Sequence, residues 1–152
     1  MEFFNLANKP EHLETVARWQ WDEWCRDNGY TLEEIIYRTR NSMKTNDIPQ
    51  TWVVLQGDEL IGTFSLWNCD LFNRQDLRPW IACVIVKPEH RNKGLGSAMT
   101  KKGVEIVRGL GYKNMYLITH HEGYYEKLGW EFMETAPFKG SKTIRLYKKE
   151  II

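Results

Sequence analysis

Pro79-Trp80-Ile81-Ala82-Cys83-Val84-Ile85-Val86 runs into Lys87-Pro88-Glu89-His90 and then into Arg91-Asn92-Lys93-Gly94-Leu95-Gly96-Ser97, after which a helix-period pattern continues to Leu110. The opening run is apolar on both faces, as in a strand covered by helices on both sides. Strand, glycine-bearing turn and helix, in that order, make a geometry that holds a phosphate. The first N–H groups of a helix have no acceptor within it, and the aligned peptide dipoles add partial positive charge there. Backbone donors at that end bind anions. Gly94 and Gly96 lack a Cβ, so a ligand can approach their backbone closely, and Arg91 and Lys93 add formal charge. No second glycine pair completes a dinucleotide fingerprint, and no Gly-Lys-Ser/Thr makes a P-loop.

Around this stretch the chain alternates strands and helices. In the helix after the turn, Leu95, Ala98, Met99, Ile106, Val107 and Leu110 form the apolar stripe. Gly103 sits among them, where it allows close packing on a sheet, and Gly109 to Gly111 ends the helix. Asn114 to Thr119 is the next strand, parallel to the first because a helical crossover returns it. His120-His121-Glu122-Gly123 leads into a short helix, Tyr124 to Leu128, closed by Gly129. A strand over Trp130 to Glu134, a turn over Pro137 to Ser141 and a last strand over Lys142 to Lys148 follow.

Upstream, Phe3 to Leu6 reads as a first strand. Pro10 suits a helix start, and Leu13, Val16, Ala17, Gln20, Trp21 and Trp24 fall on one inner face before Asn28-Gly29. Thr31 and Glu34 form a capping box for a second helix with Leu32, Ile35, Ile36, Thr39 and Met43 inward. Thr51 to Gln56 and Leu60 to Trp67 form a hairpin about Gly57-Asp58. Trp19 and Tyr37 lie off the stripes, either as surface aromatics or as the lining of a cleft. Asn68 to Arg78, with Asp70, Arg74, Asp76 and Arg78, reads as a solvated loop or a substrate contact.

At 152 residues and 42% hydrophobic content, one domain with a real core is the simplest expectation. The net charge of +1, from 21 basic and 20 acidic side chains, supplies no global field for nucleic acid or an anionic membrane. No apolar stretch approaches a membrane span. Cys25, Cys69 and Cys83 are odd in number and lack zinc-ligand spacing, so no metal is expected and a reducing, cytoplasmic location fits. Cys83, inside the apolar run, reads as a small core hydrophobe. Met1 to Asn5 has neither a basic region nor a long apolar one, so no signal peptide is expected. Seven tryptophans point to an aromatic core or an aromatic-lined pocket.

Arg91-Asn92-Lys93-Gly94-Leu95-Gly96 resembles the Arg/Gln-x-x-Gly-x-Gly/Ala signature of the GNAT superfamily, the acetyl-CoA-dependent N-acetyltransferases. Tyr125-Glu126-Lys127-Leu128-Gly129-Trp130 resembles that family's Tyr-x-x-x-Gly-Phe/Trp segment, in the family's order and separation. The resemblance implies an α/β fold of the α+β type with three layers. About seven strands form a mixed sheet flanked by about four helices and splayed between strands 80–86 and 114–119. It also implies acetyl-CoA as co-substrate. The backbone of Val84, Ile85 and Val86 would pair with the pantetheine arm, and Arg91, Asn92, Lys93, Gly94, Leu95, Gly96 and Ser97 would hold the pyrophosphate. Tyr125 matches the tyrosine that lies near the thioester sulfur in many members. One departure is the His120 to Gly123 loop, which carries no asparagine where the family often has one. Homodimers are common in the family.

Acetyl transfer to an amine sets chemical demands. A free alkylamine has a pKa of about 10 and must lose its proton to attack. The developing oxyanion needs a donor, and the departing thiolate is helped by a proton. Tyr125 is the expected general acid, with Tyr124 second and a packing role as the plainer alternative. A backbone N–H near Val84 is the expected oxyanion donor. The base is open among His120, His121 and Glu122, with His121 preferred because imidazole changes charge near neutral pH. The plainer reading of residues 120–122 is a solvated loop, Glu89 and His90 read equally as turn residues, and a water chain with no single base is the other option. The acceptor is a small-molecule or peptide amine. Trp19, Tyr37, Trp67 and Trp80 would make an aromatic wall for it, and Asp70 and Asp76 would attract its charge. The competing function is a non-catalytic acyl-CoA sensor, which binds without turnover.

Overall fold

The computed structural model describes residues 1–151. Seven strands form one mixed sheet in the order β1-β2-β3-β4-β5-β7-β6. They are β1 (Glu2–Asn5), β2 (Gln50–Gln56), β3 (Glu59–Trp67), β4 (Trp80–Val86), β5 (Asn114–Thr119), β6 (Glu131–Phe138) and β7 (Lys142–Glu150). The α-helices are α1 (Leu13–Gln20), α2 (Leu32–Arg40), α3 (Leu95–Gly109) and α4 (Tyr124–Lys127). The expected class, strand number and helix number are met. No helix among the described residues is long and apolar enough to cross a membrane. The chain divides into two compact units, Met1–Ser65 with Cys83–Met99, and Leu66–Ala82 with Thr100–Ile152.

In the first unit β1 pairs antiparallel with β2, Phe3 opposite Val54. Leu6, Val16, Val53, Leu55 and Leu60 form a core, against which Phe4, Trp19 and Met43 pack. Trp19 is therefore part of a core margin. Tyr37, 69% exposed, is a surface aromatic. The Thr31–Glu34 capping box is present with both hydrogen bonds, at 3.1 and 3.0 Å. The first helix departs from one regular pattern. After α1 the backbone widens into a π turn over Trp21–Cys25, in which the Arg26 N–H bonds to the Trp21 carbonyl. A turn one residue wider moves the inward position by one. Cys25 is buried with Ala17 and Ile35, and Trp24, expected inside, is 39% exposed.

Cys83 also corrects an expectation. It is half-buried, with φ of 53°, a left-handed conformation inside a strand. Such a residue breaks the two-residue alternation of side chains.

In the second unit β7 pairs antiparallel with both β5 and β6. The parallel ladder between β4 and β5 is one pair long, Trp80 opposite Tyr116. Leu71, Trp80, Tyr116, Ala136, Ile144 and Leu146 form the core. Trp80 is fully buried, with its indole N–H donated to the Leu77 carbonyl at 2.6 Å. It belongs to this core and lines no aromatic wall. β6 extends through Pro137 and Phe138, which were expected in a turn. Proline is tolerated there because β6 is the last strand in the sheet order. The turn is Lys139-Gly140-Ser141, in which Lys139 and Gly140 are left-handed with φ of 49° and 75°.

Two glycines set helix–strand distances. A Cβ on Gly62 would lie 3.1 Å from Met99 Sδ, 3.2 Å from Leu95 Cδ2 and 3.3 Å from the Ile85 carbonyl. On Gly103 it would meet only side-chain ends, Ile81 Cδ1 at 3.1 Å and Met115 Cε at 3.2 Å. The expected close packing at Gly103 is present. Gly62→Ala is expected to lower stability by about 1–3 kcal/mol in urea unfolding, because a backbone oxygen cannot yield. Gly103→Ala is expected to change it by less than about 1 kcal/mol, because helix propensity offsets the crowding.

Candidate functional site

The first unit holds the turn. Leaving β4, the Lys87 N–H donates to the Ile61 carbonyl at 2.9 Å. A 3₁₀ turn over Pro88–His90 follows. Lys87 Nζ lies 2.6 Å from Glu59 and 3.6 Å from Glu89, and His90 Nε2 lies 3.7 Å from Glu59. Hydrogen bonding to Lys87 holds the Glu59 carboxyl below its ordinary value, and the same bond raises Lys87. Glu89 and His90 thus belong to a surface ion-pair cluster at the base of the turn.

Arg91 folds back, and its Nε–H donates to the Val86 carbonyl at 3.1 Å. Asn92 and Gly94 then take left-handed conformations, with φ of 62° and 82°. The Ala98 N–H bonds to the Gly94 carbonyl at 3.0 Å and starts the 15-residue α3. Leu95 and Met99 are buried, while Arg91, Asn92, Lys93 and Gly94 are exposed. Gly96 and Ser97 are half-buried, as are Val84 and Val86. Val84, Ile85, Val86 and Arg91 to Ser97 are thus contiguous in one strand–turn–helix. The opening turn of α3 offers backbone donors and two cationic side chains to an anion.

The second unit holds the tyrosine. Its ring stacks on Tyr124 at 4.9 Å and meets Trp130 and Tyr147, each at 6.1 Å. Burial, with a smaller contribution from Tyr124, pushes the Tyr125 phenol up to about 12. It holds its proton across the physiological range. His121 is exposed, with its ring edge-on to Tyr124 at 6.3 Å and its backbone N–H donated to Thr119 Oγ1 at 3.1 Å. The His120 ring meets Phe138 at 6.0 Å. Glu122 is engaged by Arg145 at 3.0 Å, so its carboxylate serves an ion pair. In the loop before β4, Arg74 binds Asp76 through Nε and Nη2, both at 3.0 Å, and Glu134 at 2.7 Å. The Asp76 charge, expected to draw an amine, is matched by Arg74, whose hydrogen bonds lower its pKa.

Residues 13–130 match the model of the acetyltransferase (GNAT) family. The chain belongs to the GNAT acetyltransferase family. The matched span contains both Arg91 to Gly96 and Tyr125 to Trp130. No curated protein matches it by sequence. Among solved structures, an aminoglycoside 6'-N-acetyltransferase complexed with coenzyme A is 15% identical with a TM-score of 0.78, covering 100% of this chain and 98% of that one. The aminoglycoside 6'-N-acetyltransferase from Enterococcus faecium is 17% identical with a TM-score of 0.73, over the same shares, 100% and 98%. A GNAT family acetyltransferase from Elizabethkingia anophelis with acetyl-CoA bound is 16% identical with a TM-score of 0.57, over 78% of this chain and 82% of that one. These likenesses are of fold.

In this GNAT chain, sequence reasoning missed the residues that surround the tyrosine segment. Arg145, Tyr147 and Lys149 recur at a spacing of two on β7 and all contact residues 122–129. The alternation was visible, but its partners Glu122 and Glu126 are set by tertiary register. For Glu126, burial works against the charge. Its own backbone amide, the Tyr147 hydroxyl, the Gly123 amide and Arg145 outweigh that and hold the carboxyl below its ordinary value.

The raised Tyr125 phenol has a signed consequence for stability. Its contribution is complete below pH 10, the ordinary value, and is lost as pH rises toward about 12. Thermal melts between those pH values are expected to fall less steeply for Tyr125→Phe than for the native protein.

Proposed function

We propose that residues 1–152 form a single N-acetyltransferase domain that moves the acetyl group of acetyl-CoA to a primary amine by direct attack in a ternary complex. The observation that carries this is the turn of the first unit, between the end of β4 and the start of α3. Its left-handed Asn92 and Gly94 lead into a 15-residue helix beside Arg91 and Lys93. This arrangement fits a diphosphate: backbone donors, two cations, and no Cβ at Gly94 or Gly96. We assign Arg91, Asn92, Lys93, Gly94, Leu95, Gly96 and Ser97 to the phosphates, and the backbone of Val84, Ile85 and Val86 to the pantetheine arm. Bound there, acetyl-CoA supplies an activated thioester.

The chain's own groups account for the rest. The amine nitrogen bonds to the acetyl carbon as the carbon–sulfur bond breaks. Tyr125, a phenol that keeps its proton at neutral pH, gives that proton to the departing sulfur. The Val84 N–H, on the peptide that follows the left-handed Cys83, is the donor we assign to the carbonyl oxygen, where it would stabilise the developing charge. His121 takes the amine proton. The acceptor is a small-molecule or peptide amine, and the aminoglycoside enzymes among the structural neighbours make aminoglycosides the first to try. Three free cysteines fit a reducing, cytoplasmic setting. A homodimer, with neither nucleic acid nor membrane as partner, completes the proposal.

Thiol release from acetyl-CoA, followed across aminoglycosides, polyamines and peptides, tests it. Turnover is expected with one amine class, and Tyr125→Phe is expected to lower kcat by roughly 10²-fold or more. Saturable binding with no turnover on any amine would favour the sensor. Gly94→Ala places a Cβ at φ 82° and is expected to raise the KM for acetyl-CoA by about tenfold while changing kcat little. An unchanged KM would remove the turn from the coenzyme site.

A further inference from the structure

β7 is a strand with two occupations. Ile144 and Leu146 point into the core of the second unit with Trp80 and Tyr116. Successive side chains of a strand alternate between faces, so Arg145, Tyr147 and Lys149 share the other one. All three grip the segment that carries Tyr125. Arg145 uses every guanidinium nitrogen. Nη1 reaches Glu122 at 3.0 Å, Nη2 reaches Glu126 at 3.5 Å, and Nε–H donates to the Tyr147 hydroxyl at 2.9 Å. The Tyr147 hydroxyl donates in turn to Glu126 Oε2 at 2.9 Å. Glu126 Oε1 accepts the Gly123 N–H at 3.0 Å, which caps the start of α4. At the other end, Lys149 Nζ donates to the Leu128 and Gly129 carbonyls at 3.2 and 3.3 Å.

The segment is thus held at both ends from one strand face, and the Tyr147 ring lies against Tyr125 between them. An isolated surface ion pair contributes little. This one differs. The Arg145 side chain is about three-quarters covered, with an exposure of 23%, and its guanidinium lies 4.1 Å over the Phe132 ring. It joins two carboxylates that belong to one turn. Arg145 touches neither Tyr125 nor any reacting atom, and it acts through Glu126 and Tyr147. A helix of four residues, Tyr124–Lys127, is too short to hold its own geometry, so its orientation comes from these anchors.

We propose that Arg145 is a positioning residue for Tyr125, fixing the direction of its phenol through the Glu122–Glu126–Tyr147 network. This rests on the assignment of Tyr125 as the acid. The test measures thiol release from acetyl-CoA with kanamycin as the amine, or with water as acceptor where kanamycin is not turned over. It compares the native protein, Arg145→Ala, Arg145→Lys and Tyr125→Phe, and the double variant Arg145→Ala/Tyr125→Phe. Arg145→Ala is expected to lower kcat by roughly ten- to a hundredfold, the scale for a misplaced reacting group. KM for acetyl-CoA should stay within about twofold, because binding in the ground state is untouched. Arg145→Lys should recover part of the loss, since one ammonium can hold one carboxylate. In the Tyr125→Phe background the Arg145→Ala loss should largely vanish, because both act through one group.

A second readout needs no turnover. With fluorotyrosine incorporated, the ¹⁹F resonance assigned by its loss in Tyr125→Phe should move or broaden in Arg145→Ala and return toward its native position in Arg145→Lys. Should Arg145→Ala fail to fold, Glu126→Gln, which keeps the shape and removes the charge, is expected to shift the same resonance and lower kcat. An unmoved resonance, or an equal fold loss with and without Tyr125, overturns the proposal. So does a native kcat in Arg145→Ala alongside an impaired Tyr125→Phe. Full activity in Tyr125→Phe itself would instead fell the acid assignment, and the positioning role with it.

Discussion

The opening turn of α3 lies close on β3 because residue 62 has no side chain. Leu95 and Met99, the first buried residues of that helix, reach within 3.2 and 3.1 Å of where a Cβ would stand, and the Ile85 carbonyl is nearly as near. The helix start, the strand that precedes it and the turn between them are therefore located together. Everything asked of Arg91 to Ser97 depends on that location. The path of the turn follows from Gly62 and from the left-handed residues Asn92 and Gly94, and the proposed phosphate site rests on that path.

The second unit meets its demand differently. A four-residue helix carries the proposed acid. The neighbouring strand β7 supplies what the helix lacks, an apolar face for the core and a gripping face of Arg145, Tyr147 and Lys149. Tyr125 is thereby kept among rings and protonated, with burial as the main cause of its raised pKa.

Three positions took places other than those expected of them. Trp24 turned outward because a π turn shifted the phase of the first helix, leaving Cys25 in its place. Trp80 entered the core, where its indole N–H finds the Leu77 carbonyl. Pro137 continued a strand, which only its place at the end of the sheet order permits. Each depends on a neighbour that local sequence does not name: a wider turn, a carbonyl, a missing strand.

The sequence alone determined the elements with strong local chemistry. The strand–turn–helix from Trp80, the capping box at Thr31 and Glu34, the hairpin at Gly57-Asp58 and the close approach at Gly103 were all legible, because glycine, caps and hydrophobic period act within a few residues. The motif Arg91 to Gly96 and the segment Tyr125 to Trp130 were enough to indicate the family. Only the tertiary structure decided what surrounds the tyrosine. That Arg145 meets Glu122 and Glu126 depends on how β7 registers beside α4, some twenty residues away in the chain, and pairing over that distance is settled by packing, not by local preference.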